Sequence, residues 1–270
     1  MRLDEAGELA LLAELESRGL VQGVEHDAAE IGGLVVTQDA LVEGVHFRLD
    51  LLSWPELGYR AAATNISDLA ASGAEPLALV VTLALPGETE LADVVALYEG
   101  LREAGVPVRG GDTTQAPCVL LSVTAIGRAE RVPGRAGAKP GDAIVVSGPL
   151  GAAGAAFRSG RLARPPRRVD EGLRLARAAT AMLDISDGLA VDAGHIASRS
   201  GCRLAIELER VPLADGATIE DIGFGEDYEL LATTREPLDF AAIGRCEEGS
   251  GVVLTLHGER AELAGWEHFR

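Results

Sequence analysis

Six aspartates stand where an apolar segment of the chain meets a polar or glycine-rich one, a position from which a carboxylate can do chemistry. They are Asp27, Asp39, Asp68, Asp112, Asp184 and Asp187. Because loops gather where strands end and helices begin, the pattern indicates that several of these carboxylates can meet at one rim of a sheet. Buried carboxylates without arginine partners close in sequence need a cation, and carboxylate oxygens suit Mg²⁺ or Ca²⁺.

Helix capping is the alternative explanation for each aspartate taken alone, since Asp is favoured at N-caps and in turns. Capping accounts for Asp187, which precedes a helix predicted from Gly188. It does not account for Asp68, which lies among alanines inside a predicted helix, nor for Asp112 in the tight sequence GGDTT. As a set, the aspartates predict a cation site. Mg²⁺ is favoured if the ligand is a nucleotide, and Ca²⁺ storage is the alternative.

Hydrophobic periodicity predicts the helices and strands that must position these aspartates. The predicted helices cover residues 5–18, 54–72, 91–105, 168–180 and 188–200. The predicted strands cover residues 77–86, 118–127, 181–184, 203–208, 228–234 and 251–256. A further strand begins at residue 33 and is expected to give way to a polar loop at Thr37, Gln38 and Asp39. In the helix from residue 91, one apolar face is expected from Leu91, Val94, Val95, Tyr98 and Leu101.

The length and composition of the chain fit a globular protein with two domains. It has 270 residues, of which 47% are apolar, enough to fill two cores. Residues 127–142 are dense in glycine, proline and charge, so we place the boundary there. This divides the chain into an N-terminal domain of residues 1–134 and a C-terminal domain of residues 135–270. The mixed order of elements predicts an α/β protein, with an α+β first half.

The charge balance excludes several classes of function. A net charge of −18 opposes binding to nucleic acid or to an anionic membrane, so phosphorylated ligands are expected to be small and bound with cations. Lysine occurs once, at Lys139, and no GxxxxGK[ST] motif is present, which disfavours a P-loop enzyme. Three cysteines without paired spacing favour a reducing, cytoplasmic location.

Other candidate groups are weaker when taken alone. Glycines in GPLGAAGAAF, residues 148–157, could expose backbone N–H groups to an anion, but small-residue helix packing explains them equally well. His46 and Arg135 each have a structural or solvated alternative to a role in ligand binding. Asp192 and His195 are interpreted as ordinary polar residues of a helix.

Seven segments in a fixed order carry a resemblance to a known family. They are HDAA, DALVEGVHF, NISDLAASGAEP, RGGDTT, GAKPGD, DISDGLAVDAGH and GEDYEL, followed by GWEHF near the end of the chain. With these segments, which run from residue 26 to 269, the chain resembles the thiamine-monophosphate kinases of the aminoimidazole-ribonucleotide-synthetase-like superfamily.

The resemblance implies a fold, a reaction and a set of ligands. It implies a two-domain α/β protein that forms a homodimer, in which strands of the two N-terminal domains pair into a shared β-barrel. It implies ATP and several Mg²⁺ ions in a cleft, and in-line transfer of the γ-phosphoryl group of ATP to thiamine monophosphate, which yields thiamine diphosphate. The attacking phosphate is already ionised, so this reaction needs charge neutralisation more than a general base.

The resemblance also implies roles for individual residues. Magnesium positions fall on Asp27, Thr37, Gln38, Asp39, Asp68, Asp112, Asp184 and Asp187. ATP-contacting positions fall on Gly111, Asp112, Arg135 and Ser186, and substrate positions fall on His46, Glu226 and Trp266. Asp112 and Asp187 are the two expected to be essential for turnover.

Departures from the family pattern leave two other functions open. His26 stands where the family usually has Asp, Gln38 where it commonly has Thr, and segments near LARPPRRVDEG and between Pro212 and Gly225 are short. A sister ATP-dependent synthetase is one alternative, although the reactive Cys and nearby Lys typical of selenophosphate synthetases are missing near the N-terminus. A scaffold that binds ATP or divalent ions without turnover is the other.

Overall fold

The computed structural model describes residues 2–22, 26–236 and 238–266, which form an N-terminal and a C-terminal sheet with their helices. The helices are α1 (Leu3–Ala6), α2 (Glu8–Ser17), α3 (Trp54–Ala71), α4 (Leu91–Glu103), α5 (Ala152–Arg158), α6 (Val169–Ala176) and α7 (Leu189–Ser200). The strands are β1 (Ala29–Ile31), β2 (Leu34–Val42), β3 (Glu75–Leu85), β4 (Val108–Gln115), β5 (Leu120–Arg128), β6 (Ala143–Val146), β7 (Ala179–Asp184), β8 (Arg203–Glu207), β9 (Leu230–Thr234), β10 (Ala241–Glu247), β11 (Gly251–Leu256) and β12 (Glu259–Ala261).

The N-terminal sheet has five strands in the order β1-β2-β5-β3-β4, antiparallel except for the parallel pair β3 and β4. Helix α3 packs on one face of it, against β2 and β5. In β2 and β5 the odd-numbered side chains are the more buried ones, which include Val35, Leu121 and Val123. The even-numbered side chains lie on the opposite face, which is more exposed to solvent.

Helix α3 forms where the sequence predicts it because its start is strongly specified. Ser53 and Glu56 make a reciprocal capping box, and Pro55 occupies the first turn, where its missing N–H costs nothing. Most of its later residues are buried, so this helix forms the centre of the N-terminal core. Side chains on α3 are therefore held rigidly, which matters for the polar ones near its C-terminal end.

The C-terminal sheet has seven strands in the order β12-β11-β8-β10-β6-β9-β7. The pair β8 and β11 is parallel, and the other pairs are antiparallel. Strand β7 is an edge strand whose last residue is Asp184. Helix α7 follows it and buries Ile196 and Ala197 in the second core.

The two halves contact each other through α3, α6 and β7. Gly172 of α6 lies so close to α3 that an added Cβ would approach the carbonyl oxygen of Ala70 to 2.2 Å. The connecting residues 129–142 contain no helix or strand. Our division of the chain at residues 134 and 135 falls inside that connection and stays a prediction.

Several predicted elements differ from those observed. Gly7, with φ of 78°, breaks the first helix into α1 and α2. The helix predicted over 168–180 ends at Ala176, and the following strand begins at Ala179. Strand β10 was not predicted, because Gly244 and Arg245 interrupt its apolar pattern.

Two predicted polar turns are strands. Thr37, Gln38 and Asp39 lie inside β2, and Asp112 lies inside β4. The predicted apolar face of α4 is confirmed in part: Leu101 is buried and Val94 and Tyr98 pack against the core, but Leu91 and Val95 are exposed, and the helix also buries Leu97. Within the described part of the chain, no helix is both long and apolar enough to cross a membrane.

Candidate active site

Four carboxylates meet around the C-terminal half of α3, at the junction of the two halves of the chain. Asp68 lies on α3, Asp39 on β2, Asp184 at the end of β7, and Asp27 just before β1. Burial, followed by repulsion from Asp39, Asp184 and Asp27, raises the pKa of Asp68 well above its ordinary value. The four side chains are therefore close enough to repel one another strongly.

Short hydrogen bonds hold two of these carboxylates in place. The Thr37 hydroxyl on β2 donates to Asp68 Oδ2 at 2.5 Å, and the Ser67 hydroxyl on α3 donates to Asp184 Oδ2 at 2.5 Å. The Ser67 bond joins the two halves of the chain. In addition, the backbone N–H of Asp39 donates to Asn65 Oδ1 at 2.9 Å, which ties β2 to the same helix.

Asp184 and Asp39 are held in a site that disfavours their ionised forms. Burial, with repulsion from Asp27 and Asp39, raises the pKa of Asp184 to about 8, although the Ser67 bond and Arg135 oppose this. The pKa of Asp39 is raised by burial and by repulsion from Asp27 and Asp187. Asp187 thus belongs electrostatically to the same cluster.

Arg135, in the connection between the two sheets, contacts the cluster through Asp27. Its Nε donates to Asp27 Oδ1 at 2.8 Å, and its Nη2 lies 2.6 Å from the same oxygen. Burial nevertheless raises the pKa of Asp27. Among the described residues, Arg135 is the one basic side chain that forms an ion pair with Asp27, Asp39, Asp68 or Asp184.

The loop between β7 and α7 is organised by a second set of polar groups. The backbone N–H of Asp187 donates to Asp192 Oδ2 at 3.0 Å, and Asp192 is 3% exposed. Asp187, Asp192 and His195 each place a donor atom within 4.8 Å of the others. Burial, with Arg135 and Arg199 nearby, lowers the pKa of His195 to about 4, so its imidazole is neutral.

This loop corrects two interpretations of the sequence. Asp187 is not the N-cap of α7: the N-cap is Gly188, which makes no side-chain capping bond. Asp192 is not an ordinary polar helix residue, because its carboxylate is buried and fixes the backbone of Asp187.

The segment 225–230 runs beside the same loop. The backbone N–H of Glu226 donates to the carbonyl of Ser186 at 2.7 Å, and that of Tyr228 donates to the carbonyl of Ile185 at 2.9 Å. Glu226 and Tyr228 both have positive φ, of 58° and 52°, which is uncommon for residues with side chains. Such strained conformations cluster at functional sites.

Trp266 and His46 are two of the residues that the sequence resemblance assigns to the substrate. The backbone N–H of Trp266 donates to the carbonyl of Asp187 at 2.9 Å, and its side chain is 49% exposed. His46 lies just after β2, where its Nδ1 accepts the backbone N–H of Val42 at 3.1 Å. The rest of the GWEHF segment, residues 267–269, lies outside the described residues.

Asp112, Gln38 and Gly111 do not join the cluster. Sheet register aligns Ala40 with Ser122, Ser122 with Thr82, and Thr82 with Asp112, so Asp112 lies on the exposed, even-numbered face. Gln38 lies on that face too, and its Nε2 donates to Ser122 Oγ at 2.7 Å. Gly111 is required for packing, since an added Cβ would lie 1.8 Å from the carbonyl oxygen of Val81.

The start of helix α5 is not an anion site. The backbone N–H groups of Gly151 and Ala153 donate to the buried carboxylate of Asp227, at 2.6 and 3.2 Å. The glycines of GPLGAAGAAF instead permit close packing: a Cβ on Gly154 would approach the backbone of Asp221 to 2.9 Å.

The cluster has the properties of a site for hard divalent cations. Asp27, Asp39, Asp68, Asp184 and Asp187 supply carboxylate oxygens. The raised pKa values of the first four indicate that the protein alone compensates their negative charge poorly. Oxygen ligands of this kind fit Mg²⁺ or Ca²⁺. The donor set therefore fits a site that divalent ions complete.

Comparisons with known proteins agree with this geometry. Residues 24–129 match the family model for the AIR synthase related protein N-terminal domain, and residues 139–264 match that for its C-terminal domain. The thiamine-monophosphate kinase of Aquifex aeolicus (strain VF5) is 34% identical over 310 aligned positions that cover 100% of both proteins. The chain belongs to the thiamine-monophosphate kinase family.

Other members of the thiamine-monophosphate kinase family match at similar levels. The Mycobacterium tuberculosis (strain ATCC 25618 / H37Rv) enzyme is 33% identical, with 99% of this chain and 93% of that protein covered. AaThiL complexed with AMPPCP and TMP superposes with a TM-score of 0.90 at 34% identity, covering 99% of each chain. The two-domain α/β fold implied by the sequence resemblance is thereby confirmed.

Sequence reasoning about this kinase family missed three residues that shape the site, namely Arg60, Ser67 and Asp192. Ser67 directly precedes Asp68, and Asp192 lies five positions after Asp187, so a search for hydroxyl and carboxylate side chains close in sequence to the recognised aspartates could have found them. The sequence gives no sign that Ser67 bonds Asp184, which lies 117 positions away. Arg60 carries no local signal, because its acidic partner, Glu226, is 166 positions further along the chain.

Proposed function

We propose that this protein transfers the γ-phosphoryl group of ATP to the phosphate of thiamine monophosphate, yielding thiamine diphosphate and ADP. The observation that carries the proposal is the cluster of buried and half-buried, mutually repelling aspartates between the two halves of a member of this family. AaThiL, which shares the fold at 34% identity, is complexed with AMPPCP and TMP. AMPPCP has the shape of ATP with a methylene group between its last two phosphorus atoms.

The proposal assigns Mg²⁺ to the cluster. Asp27, Asp39, Asp68, Asp184 and Asp187 would hold the ions, and the Thr37 hydroxyl fixes Asp68. When bound, Mg²⁺ neutralises the phosphates of both substrates and aligns the attacking and leaving oxygens. Mg²⁺ is favoured over stored Ca²⁺ because the family acts on phosphate esters, with which Mg²⁺ is commonly bound.

The protein's own residues then position the reactants without a general base. The phosphate of the acceptor is ionised at neutral pH, so no proton has to be removed before attack. The Arg135 guanidinium, anchored on Asp27, and Ser186, in the loop after β7, are assigned to the nucleotide. These groups are held rigidly at the edges of two packed cores, so they orient the reactants. Such orientation is a major part of phosphoryl-transfer catalysis.

The organic part of the acceptor is assigned to the other end of the cleft. Trp266 supplies an exposed indole that can stack on a heteroaromatic ring, and its backbone is tied to Asp187. Glu226 and His46 are assigned to the polar groups of the acceptor. Residues 1–134 would then form the nucleotide-binding and dimerisation domain, while residues 135–270 complete the nucleotide and substrate sites.

The activity is tested directly with purified protein, ATP, Mg²⁺ and thiamine monophosphate. We expect thiamine diphosphate and ADP in equal amounts, measured by chromatography, and no product when Mg²⁺ is chelated. Free thiamine as sole acceptor serves as the control and should give no product. Formation of product from free thiamine, or ATP binding without transfer to any phosphate acceptor, would contradict the proposal.

We further propose that the protein is a homodimer whose two copies complete each other's sites. The even-numbered face of the N-terminal sheet carries apolar side chains such as Val36, Val80 and Ile126 that α3 does not cover. Asp112 and Gln38 share that face, on the side opposite the cluster. Pairing of two such sheets would cover the apolar face, and we propose that Asp112, which lies on the edge strand β4, reaches the cluster of the other copy at the rim of that interface.

Mixed dimers test this arrangement. Asp68→Asn and Asp112→Asn are each expected to be inactive alone, whereas a refolded equimolar mixture should regain about one quarter of wild-type activity, since half of the dimers contain one intact site. Activity is measured per dimer after separation by sizing chromatography. If Asp112 serves the cluster of its own chain, no mixed dimer has an intact site and the mixture stays inactive.

A further inference from the structure

Arg60 is a buried arginine that crosses from one half of the chain to the other. It lies on α3, and only 2% of its surface is exposed. Its Nη2 lies 2.6 Å from Glu226 Oε2, and its Nη1 donates to the carbonyl of Ala163 at 2.8 Å. Within the described part of the chain, Nε and Nη2 are buried and lack a well-oriented hydrogen bond. A guanidinium that is this deeply buried and incompletely hydrogen-bonded destabilises the folded protein, so its presence needs an explanation.

Glu226 has an uncommon backbone conformation, and only one of its two carboxylate oxygens is held by Arg60. Its backbone is in the left-handed region, with φ of 58°, and its N–H is tied to the carbonyl of Ser186. Its side chain keeps 27% exposure, while Arg60 holds Oε2. Oε1 makes no hydrogen bond among the described residues. One oxygen is thus fixed by the protein, and the other can accept a hydrogen bond from a ligand.

The position of Arg60 along α3 relates this pair to the aspartate cluster. Arg60 and Asp68 lie eight positions apart on one face of the helix, which corresponds to about 12 Å along its axis. Tyr228 connects the two regions: burial and Glu226 raise its pKa well above the ordinary value, with smaller effects from Asp39 and Asp184. Thiamine monophosphate likewise carries its phosphate at one end and an aminopyrimidine at the other.

We propose that Arg60 is a positioning residue that holds the Glu226 carboxylate so that its free oxygen accepts a hydrogen bond from the amino group of the acceptor's aminopyrimidine. This inference rests on the proposed function, and it adds to it the residue that determines which heterocycle is accepted. Arg60 itself touches no substrate. Because the pair links α3 to the segment 225–230, the carboxylate is correctly placed only when the two halves are packed together.

Arg60→Met tests the proposal with thiamine monophosphate and oxythiamine monophosphate, which has a carbonyl in place of the amino group. We expect Arg60→Met to raise the KM for thiamine monophosphate by about tenfold or more and to leave the KM for ATP within about twofold. The preference for thiamine monophosphate over the oxy analogue, measured as the ratio of kcat/KM values, should fall towards one. Arg60→Lys keeps the charge and should restore most of the preference.

Arg131→Met is the matched control, because Arg131 also joins the two halves, by donating to the carbonyls of Ala176 and Ala179. It should lower the melting temperature without changing the preference between the two acceptors.

An unchanged KM and preference in Arg60→Met, in an enzyme whose wild type is active, would overturn the role of Arg60. A wild-type protein inactive on thiamine monophosphate would overturn the proposed function instead. If Arg60→Met does not fold, Glu226→Gln gives the same test from the other side of the pair.

Discussion

Replacing Asp68 with Asn is expected to abolish phosphoryl transfer and, at the same time, to stabilise the protein in the absence of divalent ions. The carboxylate of Asp68 lies at the centre of the cluster, beside Asp39, Asp184 and Asp27. Loss of its charge removes a metal ligand, and we expect turnover to fall by about a thousandfold or more. The same loss removes repulsion from a site that the protein alone compensates poorly.

The stabilising half of this prediction depends on how Asp68 is hydrogen-bonded. Asn retains a carbonyl oxygen that can accept the Thr37 hydroxyl, so the substitution removes charge and leaves the local structure in place. In buffer with a chelator we expect a gain of about 1–2 kcal/mol, or roughly 2–6 °C in melting temperature. Added Mg²⁺ should stabilise the wild type more than the variant.

Asp68→Ala is the control that separates charge from hydrogen bonding. It removes the same charge but leaves the Thr37 hydroxyl without its acceptor, so it should be less stable than Asp68→Asn although equally inactive. Melting curves of both variants, with chelator and with Mg²⁺, give the comparison. A metal-free Asp68→Asn protein that melts below the wild type would show that repulsion in the cluster is not a significant destabilising force.

The parts of the fold that follow local rules are predictable from the sequence. Helix α3 was predicted over residues 54–72 and is observed over Trp54–Ala71, because Pro55 and the pair Ser53 and Glu56 specify its start. Strand β11 was predicted at its observed bounds, since an apolar, β-branched run of that length has few alternatives. In both cases the local preference and the tertiary environment agree.

Strand β4 shows where local rules fail. The sequence GGDTT is typical of a turn, yet it pairs with β3, and Gly111 is needed because the carbonyl of Val81 lies where a Cβ would be. Similarly, Thr37 and Asp39 are polar but remain in β2, since their partners are polar side chains of α3. A single sequence contains no signal for contacts of this kind, because they are made between elements far apart in the chain.

The candidate site was predictable in its residue types and only partly in its geometry. The expectation that several aspartates meet is met by Asp27, Asp39, Asp68, Asp184 and Asp187, which lie on elements from both halves. Strand register, which the sequence does not reveal, places Asp112 on the opposite face of the sheet. That separation is the reason to look for a second copy of the chain at the site.

In the metal-free protein, the free energy of unfolding should decrease as the pH rises, whereas most proteins lose stability as the pH falls into the acid range. Mg²⁺ should remove this decrease. In the folded, metal-free protein the pKa of Asp184 is raised to about 8, chiefly by burial, and the pKa values of Asp27, Asp39 and Asp68 are raised as well. The folded chain therefore binds more protons than the unfolded chain between about pH 4 and pH 8. The stabilisation from these protonated groups is fully present below about pH 4 and is lost as the pH rises through the folded pKa.

In the presence of a chelator, the free energy of unfolding should thus fall by a few kcal/mol between about pH 5 and pH 8. Each carboxyl group contributes about 1.4 kcal/mol for every pH unit over which it is protonated in the folded protein but ionised in the unfolded protein. Mg²⁺ binds the ionised carboxylates, so the stabilisation it provides should be larger at pH 8 than at pH 5. Denaturant melts across this range, with and without Mg²⁺, measure both effects.

Asp184→Asn should flatten the metal-free slope, whereas Asp215→Asn, at an exposed position outside the cluster, should leave it unchanged. Equal metal-free slopes in the wild type and Asp184→Asn would exclude Asp184 as the group that titrates, since a carboxylate that gains no proton on folding contributes nothing to the pH dependence.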